Sequence, residues 1–338
     1  MPSLSVAMCT YNGERLVGDQ LESILAQTRR PDEMVICDDR SKDDTARILR
    51  EFVRRAPFPV KLVVNRDNLG ATDNYQQAMR LCEGDLIAFA DQDDVWFPAK
   101  LEKAEAVFRE RPALGAVFSD AVVVDEHLRP LGYTLWQSIR FNTRDRHMVR
   151  NGRALEVLMK YNVASGSTMV FNSALYRDLV LPIPSQCHGD HWAAMICAAI
   201  GHLGMIEEPL NKYRRHSAQL VGPKGDGSLV GIIAGEARKY LGAERYFQEF
   251  RFSRRLELGR EKMLYMLAYD RLKKSGMLTG RPEVMKMFEE KLAHIESRRR
   301  MGMMSHLGRC RPLLAEIWNS GYRRYSNGLT YMIGDLLV

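Results

Sequence analysis

Short apolar segments alternate with amphipathic segments between residues 4 and 90. The apolar segments are predicted to be buried strands at residues 4–9, 33–37, 60–64 and 86–90. Between them, apolar side chains recur at helical spacings and predict helices at residues 14–27, from residue 44 or 45, and at 72–81. Strands and helices that alternate in this way form a parallel sheet with helices on its faces. The sequence therefore predicts an α/β fold with a mostly parallel central sheet.

A polar loop follows each of these four predicted strands. The loops contain Thr10–Asn12, Asp38–Asp39, Asn68–Gly70 and Asp91–Asp94. Ligands of open α/β sheets bind at the carboxyl ends of the strands. We therefore expect the four loops to converge on one crevice, and their convergence is more informative than any single loop.

The fourth loop, Asp91-Gln92-Asp93-Asp94, places three carboxylates at the end of a buried strand. Crowded like charges repel one another, and a bound cation relieves the repulsion. Carboxylate oxygens suit Mg²⁺ or Mn²⁺, and Mg²⁺ completes its coordination with water and substrate phosphates. The cluster thus indicates a substrate with a diphosphate. The alternative is a solvated acidic turn, with Asp94 capping the helix that begins near Pro98.

The rest of the chain gives weaker patterns. A helix is predicted from Leu101 to Arg109, and Ala116–Val124 is predicted to be an edge or crossing strand. Residues 125–160 are expected to be irregular, and a short strand is expected around Met205–Leu210. The sequence Gly-Pro-Lys-Gly-Asp-Gly at residues 222–227 is predicted to be a linker. Residues 229–338 are predicted to be helical and basic.

The formal net charge of +7 indicates anionic partners. Arginines such as those at 298–300 are interleaved with apolar residues in the C-terminal region. This region could contact an anionic membrane surface peripherally, or it could be an ordinary helical subdomain with a solvated basic face. The chain lacks a basic and aromatic module typical of nucleic-acid binding, so no nucleic-acid partner is expected.

Several features favour a cytoplasmic setting. No apolar run reaches the length of a membrane span, and Met1-Pro2-Ser3 leads directly into a strand, so no signal peptide is expected. The six cysteines show no CxxC pairing. A reducing compartment without a disulfide framework or zinc site is therefore predicted.

Two further residues are candidates for chemistry. Asp190 stands at a predicted helix start between His188 and His191, where it could cap the helix or act as a general base. His216 could be structural or could bind the same metal as the acidic cluster. The neighbouring Arg214 and Arg215 could bind phosphate oxygens or be solvated.

These motifs together resemble family 2 glycosyltransferases of the GT-A fold. Residues 4–12, Leu-Ser-Val-Ala-Met-Cys-Thr-Tyr-Asn, are similar to the opening strand and loop of that family. Asp38-Asp39-Arg40-Ser41 looks like the second nucleotide-binding loop, where a glycine often stands at the position of Arg40. Asn68-Leu69-Gly70 looks like the third loop, and Asp91–Trp96 resembles the DxD motif with its usual sequel. The resemblance covers about the first two-thirds of the chain.

The later motifs point to a branch of the family. Asp190 matches the position of the catalytic acidic residue, although Gly189 precedes it where many members carry Glu or Asp. Tyr213-Arg214-Arg215-His216 is similar to the Tyr-Arg-x-His segment of bacterial rhamnosyltransferase-like members. The resemblance thus implies a GT-A, Rossmann-like fold with a C-terminal helical extension.

The resemblance also implies roles for individual residues. Asp190 would be the catalytic base, and Asp93 and His216 would bind Mg²⁺ or Mn²⁺. The implied nucleotide-binding residues are Thr10, Tyr11, Asn12, Asp39, Asn68 and Asp91. The implied acceptor-side residues are Ser165, Gly166 and Ser167.

The expected activity is inverting, metal-dependent sugar transfer from a dTDP- or UDP-linked donor to a lipid-linked saccharide. This setting implies assembly of a bacterial surface polysaccharide at the inner face of the cytoplasmic membrane. The expected units are a nucleotide-sugar-binding half at 1–124, an acceptor-side half at 125–222 and a basic helical region at 228–338. The alternatives are an inactive nucleotide-sugar-binding scaffold, a nucleotidyltransferase and a membrane adaptor built on the C-terminal helices.

Overall fold

A computed structural model describes residues 1–216, 244–304 and 307–326, together with 328, 331, 332 and 335. The predicted linker at 222–227 lies outside the described residues, as does the start of the predicted helical region. Within the described residues, the chain forms one mixed sheet with helices packed on it and a helical C-terminal region.

The parallel half of the sheet comes from the first four strands, in the spatial order β3-β2-β1-β4. The strands are β1 (Leu4–Thr10), β2 (Glu33–Asp38), β3 (Val60–Val64) and β4 (Leu86–Asp91). The helices between them are α1 (Val17–Leu25), α2 (Thr45–Arg55) and α3 (Ala71–Leu81). All three pairings in this half are parallel, so the polar ends of these strands meet at one edge of the sheet. The predicted alternation of strands and helices is confirmed.

The other half of the sheet mixes strand directions. It contains β5 (Val95–Trp96), β6 (Ala116–Val124), β7 (Pro130–Thr134), β8 (Met169–Asn172) and β9 (Leu203–Arg214), with α4 (Lys100–Glu110) before β6. The predicted edge position of β6 is wrong, because β6 pairs with β7 and β8 in antiparallel fashion and with β9 in parallel fashion. Its side chains are buried on both faces, as expected for an interior strand.

The expectation of an irregular segment at 125–160 is also wrong. This segment contains β7 and three short helices, α5 (Leu135–Ser138), α6 (Thr143–Arg150) and α7 (Ala154–Leu158). Thr134 and Gln137 form a capping box at the start of α5, and Asn142 caps α6. The helices are too short for the apolar periodicity by which longer helices are recognised.

The short strand expected around Met205–Leu210 is instead one continuous twelve-residue strand, β9. Its register against β6 shifts where Ser119 pairs with Ile206 and Asp120 pairs with Pro209. The intervening Glu207 and Glu208 are exposed at this irregularity, which interrupts the apolar pattern in the sequence. Strand β9 then continues past the end of β5, and it delivers Arg214 and His216 to the acidic loop.

The remaining helices follow β8 and build the C-terminal region. They are α8 (Ser173–Val180), α9 (Gly189–Ala199), α10 (Glu244–Lys274), α11 (Pro282–Met301), α12 (Cys310–Trp318) and α13 (Gly321–Tyr325). Buried side chains of α10 and α11, including Ala268 and Phe288, share one hydrophobic core with α9 and the sheet. None of the helices in the described part of the chain is apolar over a length that could cross a membrane.

Candidate active site

The loops after β1 and β2 are joined by hydrogen bonds of short polar side chains. Thr10 Oγ1 donates to Asp38 Oδ2 at 2.9 Å, and Ser41 Oγ donates to the same oxygen at 2.5 Å. Asn12 N donates to Ser41 Oγ at 2.9 Å, and Lys42 N donates to Asn12 Oδ1 at 2.8 Å. The predicted nucleotide-binding residues Thr10 and Asn12 therefore lie in a loop pair whose backbone is fixed before any ligand binds.

The acidic loop joins the same network through Gln92, which the sequence did not single out. Its amide accepts a hydrogen bond from Tyr11 N at 2.9 Å and donates one to Tyr11 O at 3.0 Å. A Cβ on Gly13 would lie 2.2 Å from Gln92 Oε1, so only glycine allows this close approach. The loops after β1, β2 and β4 thus converge, as the strand-end pattern predicts.

Asp39 holds the loop after β3. Its carboxylate accepts hydrogen bonds from Leu69 N at 2.7 Å, from Gly70 N at 2.9 Å and from Asn65 Nδ2 at 3.0 Å. Asn68 Nδ2 donates to the backbone oxygen of Asp39 at 3.1 Å. Asp39 and Asn68, both expected at the nucleotide, therefore lie together, and the buried Asp39 already binds three protein donors.

Arg40 has a φ of +63°. This left-handed conformation favours glycine and costs other residues about 1 kcal/mol. The exposed side chain reaches Asp67, with Nη1 3.7 Å from Oδ1. The loop therefore keeps its shape with an arginine in a glycine conformation.

Asp91, Asp93 and His216 meet at the end of β4. His216 Nε2 lies 2.9 Å from Asp93 Oδ2, and the Tyr75 hydroxyl donates to Asp91 Oδ1. Burial, and then the charge of Asp93, raise the pKa of Asp91 to about 7. The two carboxylates are therefore crowded enough that protein contacts alone do not favour both charges.

Asp94 has a different role from its neighbours. Its Oδ1 accepts from Arg214 N at 3.1 Å and its Oδ2 accepts from Asn211 Nδ2 at 3.1 Å. The expectation that Asp94 caps the helix near Pro98 is wrong, because its carboxylate instead fastens β9 to the acidic loop. These buried partners were not visible in the sequence, since Asn211 and Arg214 are more than one hundred residues away along the chain.

Arg214 is engaged by protein groups on the inside of the molecule. Its side chain donates to Asp93 O at 2.8 Å, to Glu126 O at 2.9 Å and to Asp19 Oδ2 at 2.7 Å. Arg214 is buried, so it positions the acidic loop and does not present its guanidinium to a phosphate. Arg215 is half-buried, and its Nη1 donates to the Tyr133 hydroxyl at 3.1 Å.

Lys100 is a buried cation that sequence reasoning missed. Its Nζ lies 4.2 Å from the centre of the Trp96 ring and donates to Ser167 O, on the predicted acceptor side. Burial lowers its pKa to about 7, while the charges of Asp94 and Asp91 oppose this shift. A lysine in an ordinary first helical turn gives no sign in the sequence that it will be buried beneath the acids.

Asp190 lies in the first turn of α9 and faces the segment that contains Ser165 and Ser167. Its Oδ2 accepts from Gly166 N at 3.0 Å, and its Oδ1 accepts from His191 N at 2.6 Å. A Cβ on Gly166 would lie 3.6 Å from the Cβ of Asp190, so the two segments are in close contact. Burial raises the pKa of Asp190 and makes it a stronger base than an exposed aspartate.

Asp190 lies near the acidic loop. Burial and Asp93 are the main causes of the raised pKa of Asp91, and the charge of Asp190 adds to them. The carboxylate of Asp190 is thus close enough to Asp91 for their charges to interact. This arrangement can hold a phosphorylated ligand and take a proton from a hydroxyl group.

The chemistry of a divalent cation fits Asp93 and His216. Mg²⁺ needs one or two protein ligands when a diphosphate and water complete its coordination, and Mn²⁺ also accepts imidazole nitrogen. Across the described ranges, no group of three or more His, Cys, Asp or Glu side chains forms a ready-made metal cage. The pair therefore suits an ion that arrives with a phosphorylated ligand.

Comparison with known sequences finds similarity in the first part of the chain. Residues 5–157 match the family model described as Glycosyl transferase family 2. The EpsE protein of Bacillus subtilis (strain 168) is 34% identical over 125 residues, which are 37% of this chain and 45% of EpsE. The Escherichia coli UDP-Glc:alpha-D-GlcNAc-diphosphoundecaprenol beta-1,3-glucosyltransferase WfgD is 35% identical over 99 residues, or 29% of this chain and 38% of WfgD. The chain thus matches less than half the length of these two relatives.

Solved structures share the fold over nearly the whole chain. TarS 1–349 of S. aureus, in complex with UDP-GlcNAc, superposes with a TM-score of 0.53 at 18% identity and covers 96% of this chain and 89% of its own. The mannosyltransferase PcManGT of Pyrobaculum calidifontis, in complex with GDP-Man and Mn²⁺, gives a TM-score of 0.50 at 17% identity, with 99% and 85% covered. The predicted GT-A fold is confirmed, and identities this low establish the fold alone.

Proposed function

Because residues 5–157 match the family model described as Glycosyl transferase family 2, we propose that this protein is an inverting, metal-dependent glycosyltransferase. The observation that carries the proposal is that Asp190 lies close enough to the acidic loop, which holds the pair of Asp93 and His216, for their charges to interact. A base and a nearby cation-binding pair match the two tasks of glycosyl transfer, which are to take a proton from the acceptor and to neutralise the departing diphosphate. The protein thus moves a sugar from a nucleotide-diphosphate donor to a hydroxyl group.

The donor binds across the ends of the parallel strands. Thr10, Tyr11 and Asn12 line the nucleoside pocket. Asp39 and Asn68 form the wall of this pocket beside the nucleobase. Asp91 contacts the ribose or nearby nucleotide atoms. The names of WfgD and TarS support a nucleotide-sugar donor, since they give UDP-Glc for one and UDP-GlcNAc for the other. We propose a dTDP- or UDP-linked sugar here.

Asp93 and His216 hold the divalent cation. The support is their contact at 2.9 Å and the raised pKa of Asp91, which a nearby cation would lower. PcManGT forms a complex with GDP-Man and Mn²⁺. When bound, the ion stabilises negative charge on the departing diphosphate.

Asp190 acts as the general base. Its two hydrogen bonds, from Gly166 N and His191 N, fix the orientation of the carboxylate towards the acceptor. Asp190 takes the proton of the acceptor hydroxyl, whose oxygen attacks the anomeric carbon on the face opposite the phosphate. The bond from carbon to phosphate oxygen breaks, the nucleoside diphosphate leaves, and the anomeric configuration inverts.

The acceptor is a lipid-linked saccharide of a growing bacterial surface polysaccharide. The name of WfgD supports this choice, because it specifies an acceptor sugar on diphosphoundecaprenol. Ser165, Gly166 and Ser167 border the acceptor, since this segment contacts Asp190. The reaction then takes place at the cytoplasmic face of the membrane.

The test of donor binding is a thermal-shift screen of nucleotide sugars with Mn²⁺ or Mg²⁺. One strong shift that depends on the metal identifies the donor. The absence of any such shift across the nucleotides would overturn the proposal.

The test of catalysis is Asp190→Asn. We expect transfer to fall by about 10²–10⁴-fold while the metal-dependent shift with the donor persists. Asp178→Asn, at an exposed aspartate of α8, is the matched control and should leave both unchanged. Full transfer by Asp190→Asn would exclude Asp190 as the base. Donor binding without hydrolysis or transfer by the wild-type protein would favour an inactive scaffold.

A further inference from the structure

Helix α12 exposes large apolar side chains to solvent, whereas the apolar side of a surface helix usually faces the core. Trp318 is 89% exposed, Leu314 is 65% exposed and Ile317 is 47% exposed. Arg311, Leu314 and Trp318 are three, four and seven residues apart, and Ile317 is three residues from Leu314, so all four lie on one side of the helix. We call these four residues the outer face of α12.

The opposite side of α12 is used to pack the helix onto the molecule. Leu313 is buried with Met301 and Tyr322 in a small hydrophobic cluster. Glu316 points the same way, with its Oε2 2.6 Å from His294 Nδ1. The outer face is therefore not the result of a helix that failed to dock.

The surface around the outer face is basic. Residues 298–324 contain seven arginines and a single acidic residue, Glu316, which faces His294. Arg298 and Arg309 are buried, and Arg299, Arg300 and Arg324 pair with Glu296 or Glu290. The exposed Arg311 and Arg323 therefore contribute most to the positive charge of this surface. Solvent-exposed Met303 precedes α12, and Arg309 holds the adjoining turn through hydrogen bonds of 3.1 and 3.0 Å to Met304 O.

We propose that the outer face of α12, with the surrounding arginines, docks this enzyme on an anionic phospholipid bilayer. Tryptophan and aliphatic side chains enter the interfacial region of a bilayer, and arginines beside them attract anionic headgroups. Trp318 is well suited to this position because its ring favours the level of the headgroups. This inference rests on the proposed function, because docking would bring the proposed active site to a lipid-linked acceptor.

Charge complementarity favours a bilayer over a second copy of the chain. A symmetric dimer through the outer face would place the same patch on both sides of the interface. Arginines from the two copies would then face one another, with Glu316 of each copy turned inwards. An anionic lipid surface instead supplies the opposite charge.

Tryptophan fluorescence offers a direct test on the full chain. The other three tryptophans, Trp96, Trp136 and Trp192, are at most 2% exposed, so acrylamide quenching reports on Trp318. We expect vesicles that contain phosphatidylglycerol to shift the emission to shorter wavelengths and to protect Trp318 from acrylamide. Vesicles of phosphatidylcholine alone should do neither.

Two sets of variants separate the apolar and electrostatic contributions to vesicle binding, which is measured by co-sedimentation. Leu314→Ser should weaken binding to anionic vesicles by about tenfold, since burial of a leucine is lost. Arg311→Ser with Arg323→Ser should weaken it by about fivefold for each arginine. The matched controls are Leu175→Ser on α8 and Arg50→Ser with Arg54→Ser on α2, which are also exposed and should have no effect.

Three outcomes would overturn the proposal. Trp318 could remain quenchable with anionic vesicles, or the variants and their controls could bind equally well. Protection of Trp318 that grows with protein concentration in the absence of lipid would show a second copy as the occupant. None of these outcomes bears on sugar transfer, which is measured separately with a soluble acceptor analogue.

Discussion

The loops after β1 to β4 and the C-terminal helices are held in place by opposite means. We call these loops the donor-side loops, after their proposed role. In the loops, short side chains such as Asp38, Asp39 and Gln92 bind the backbone or side chains of neighbouring loops. In the C-terminal region, the long side chains of the buried Lys291 and the half-buried Arg271 bind backbone oxygens of distant segments. The loops are therefore fixed by residues that a motif can show, whereas the helices are fixed by contacts that only the fold shows.

The two regions also differ in whether their charged residues serve function or stability. On the donor side, like charges are crowded together at the end of β4, and the pKa of Asp91 is raised. Such crowding costs stability, and it is typical of a binding or catalytic site. In the interior of the C-terminal region the buried charges are paired, as in the pair of Lys291 with Glu261 at 2.5 Å. Variants in the two regions should therefore differ in whether they change activity or folding.

The largest effect is expected for Asp93→Asn. Transfer should fall at least about a thousandfold, because the leaving diphosphate loses several kcal/mol of stabilisation. The melting temperature should stay the same or rise, since removal of one charge relieves Asp91. Initial-rate assays and thermal unfolding measure the two effects.

Asp67→Asn is the control for this variant, because Asp67 is an exposed acid on the same side of the molecule. It should change neither rate nor melting temperature. A large loss of stability in Asp93→Asn without a large loss of rate would reverse the contrast between the two regions.

The second largest effect is expected for Lys291→Met in the C-terminal region. Lys291 is fully buried, and its Nζ donates to Met159 O at 2.7 Å, Tyr325 O at 2.6 Å and Glu261 Oε1 at 2.5 Å. Its loss leaves Glu261 and two carbonyl groups without this partner, which should lower the free energy of unfolding by about 3 kcal/mol. Urea unfolding measures the change.

A second substitution tests the cause. Glu261→Gln in the Lys291→Met background should recover part of the lost stability, because the uncompensated charge is then removed. Activity per folded molecule should remain near that of the wild type in both variants. An unfolding free energy unchanged by Lys291→Met would contradict the structural role.

The sequence predicts the donor side better than the rest for a physical reason. Strand ends and polar loops are local features, so β1 to β4 and the convergence of their loops followed from spacing alone. The position of β6 inside the sheet and the twelve-residue length of β9 depend on pairing between segments about fifty to ninety residues apart. An irregularity at Glu207 and Glu208 interrupts the pairing of β6 with β9. Burial of Lys100 depends in the same way on the whole fold. The roles of the site residues remain predictions.

Arg271 connects the two regions and should give an intermediate effect. Its guanidinium donates to Leu179 O at 3.0 Å, Leu181 O at 3.1 Å and Pro182 O at 3.0 Å, and it lies 5.4 Å from the centre of the Trp192 ring. Trp192 follows Asp190 by two residues on α9. Arg271 therefore fastens a C-terminal helix to the segment and the helix that position the proposed base.

Arg271→Lys keeps the charge but loses the planar fork of donors, which should cost about 1–2 kcal/mol of stability. We expect kcat to fall several-fold, because Asp190 shifts, while the KM for the donor is unchanged. Steady-state kinetics with varied donor separates the two constants. Lys274→Met, at an exposed position on the same helix, is the control. A higher donor KM with normal kcat would place the effect of Arg271 on the donor side instead.

The smallest effect is expected at Arg40, where the backbone conformation of the donor-side loop is unfavourable for a residue with a side chain. Unlike the substitutions above, replacement of Arg40 by glycine should relieve strain. Arg40 has a φ of +63°, which a side chain strains and a glycine does not. Arg40→Ala and Arg40→Gly both remove the contact with Asp67, so the difference between them isolates the Cβ atom. The glycine variant should be the more stable by about 0.5 kcal/mol, because relief of strain exceeds the added freedom of the unfolded chain. Urea unfolding of the pair measures this difference, and a more stable alanine variant would mean that the loop relaxes out of the left-handed conformation. The loop would then owe its shape to the hydrogen bonds of Asp38 and Asp39 alone.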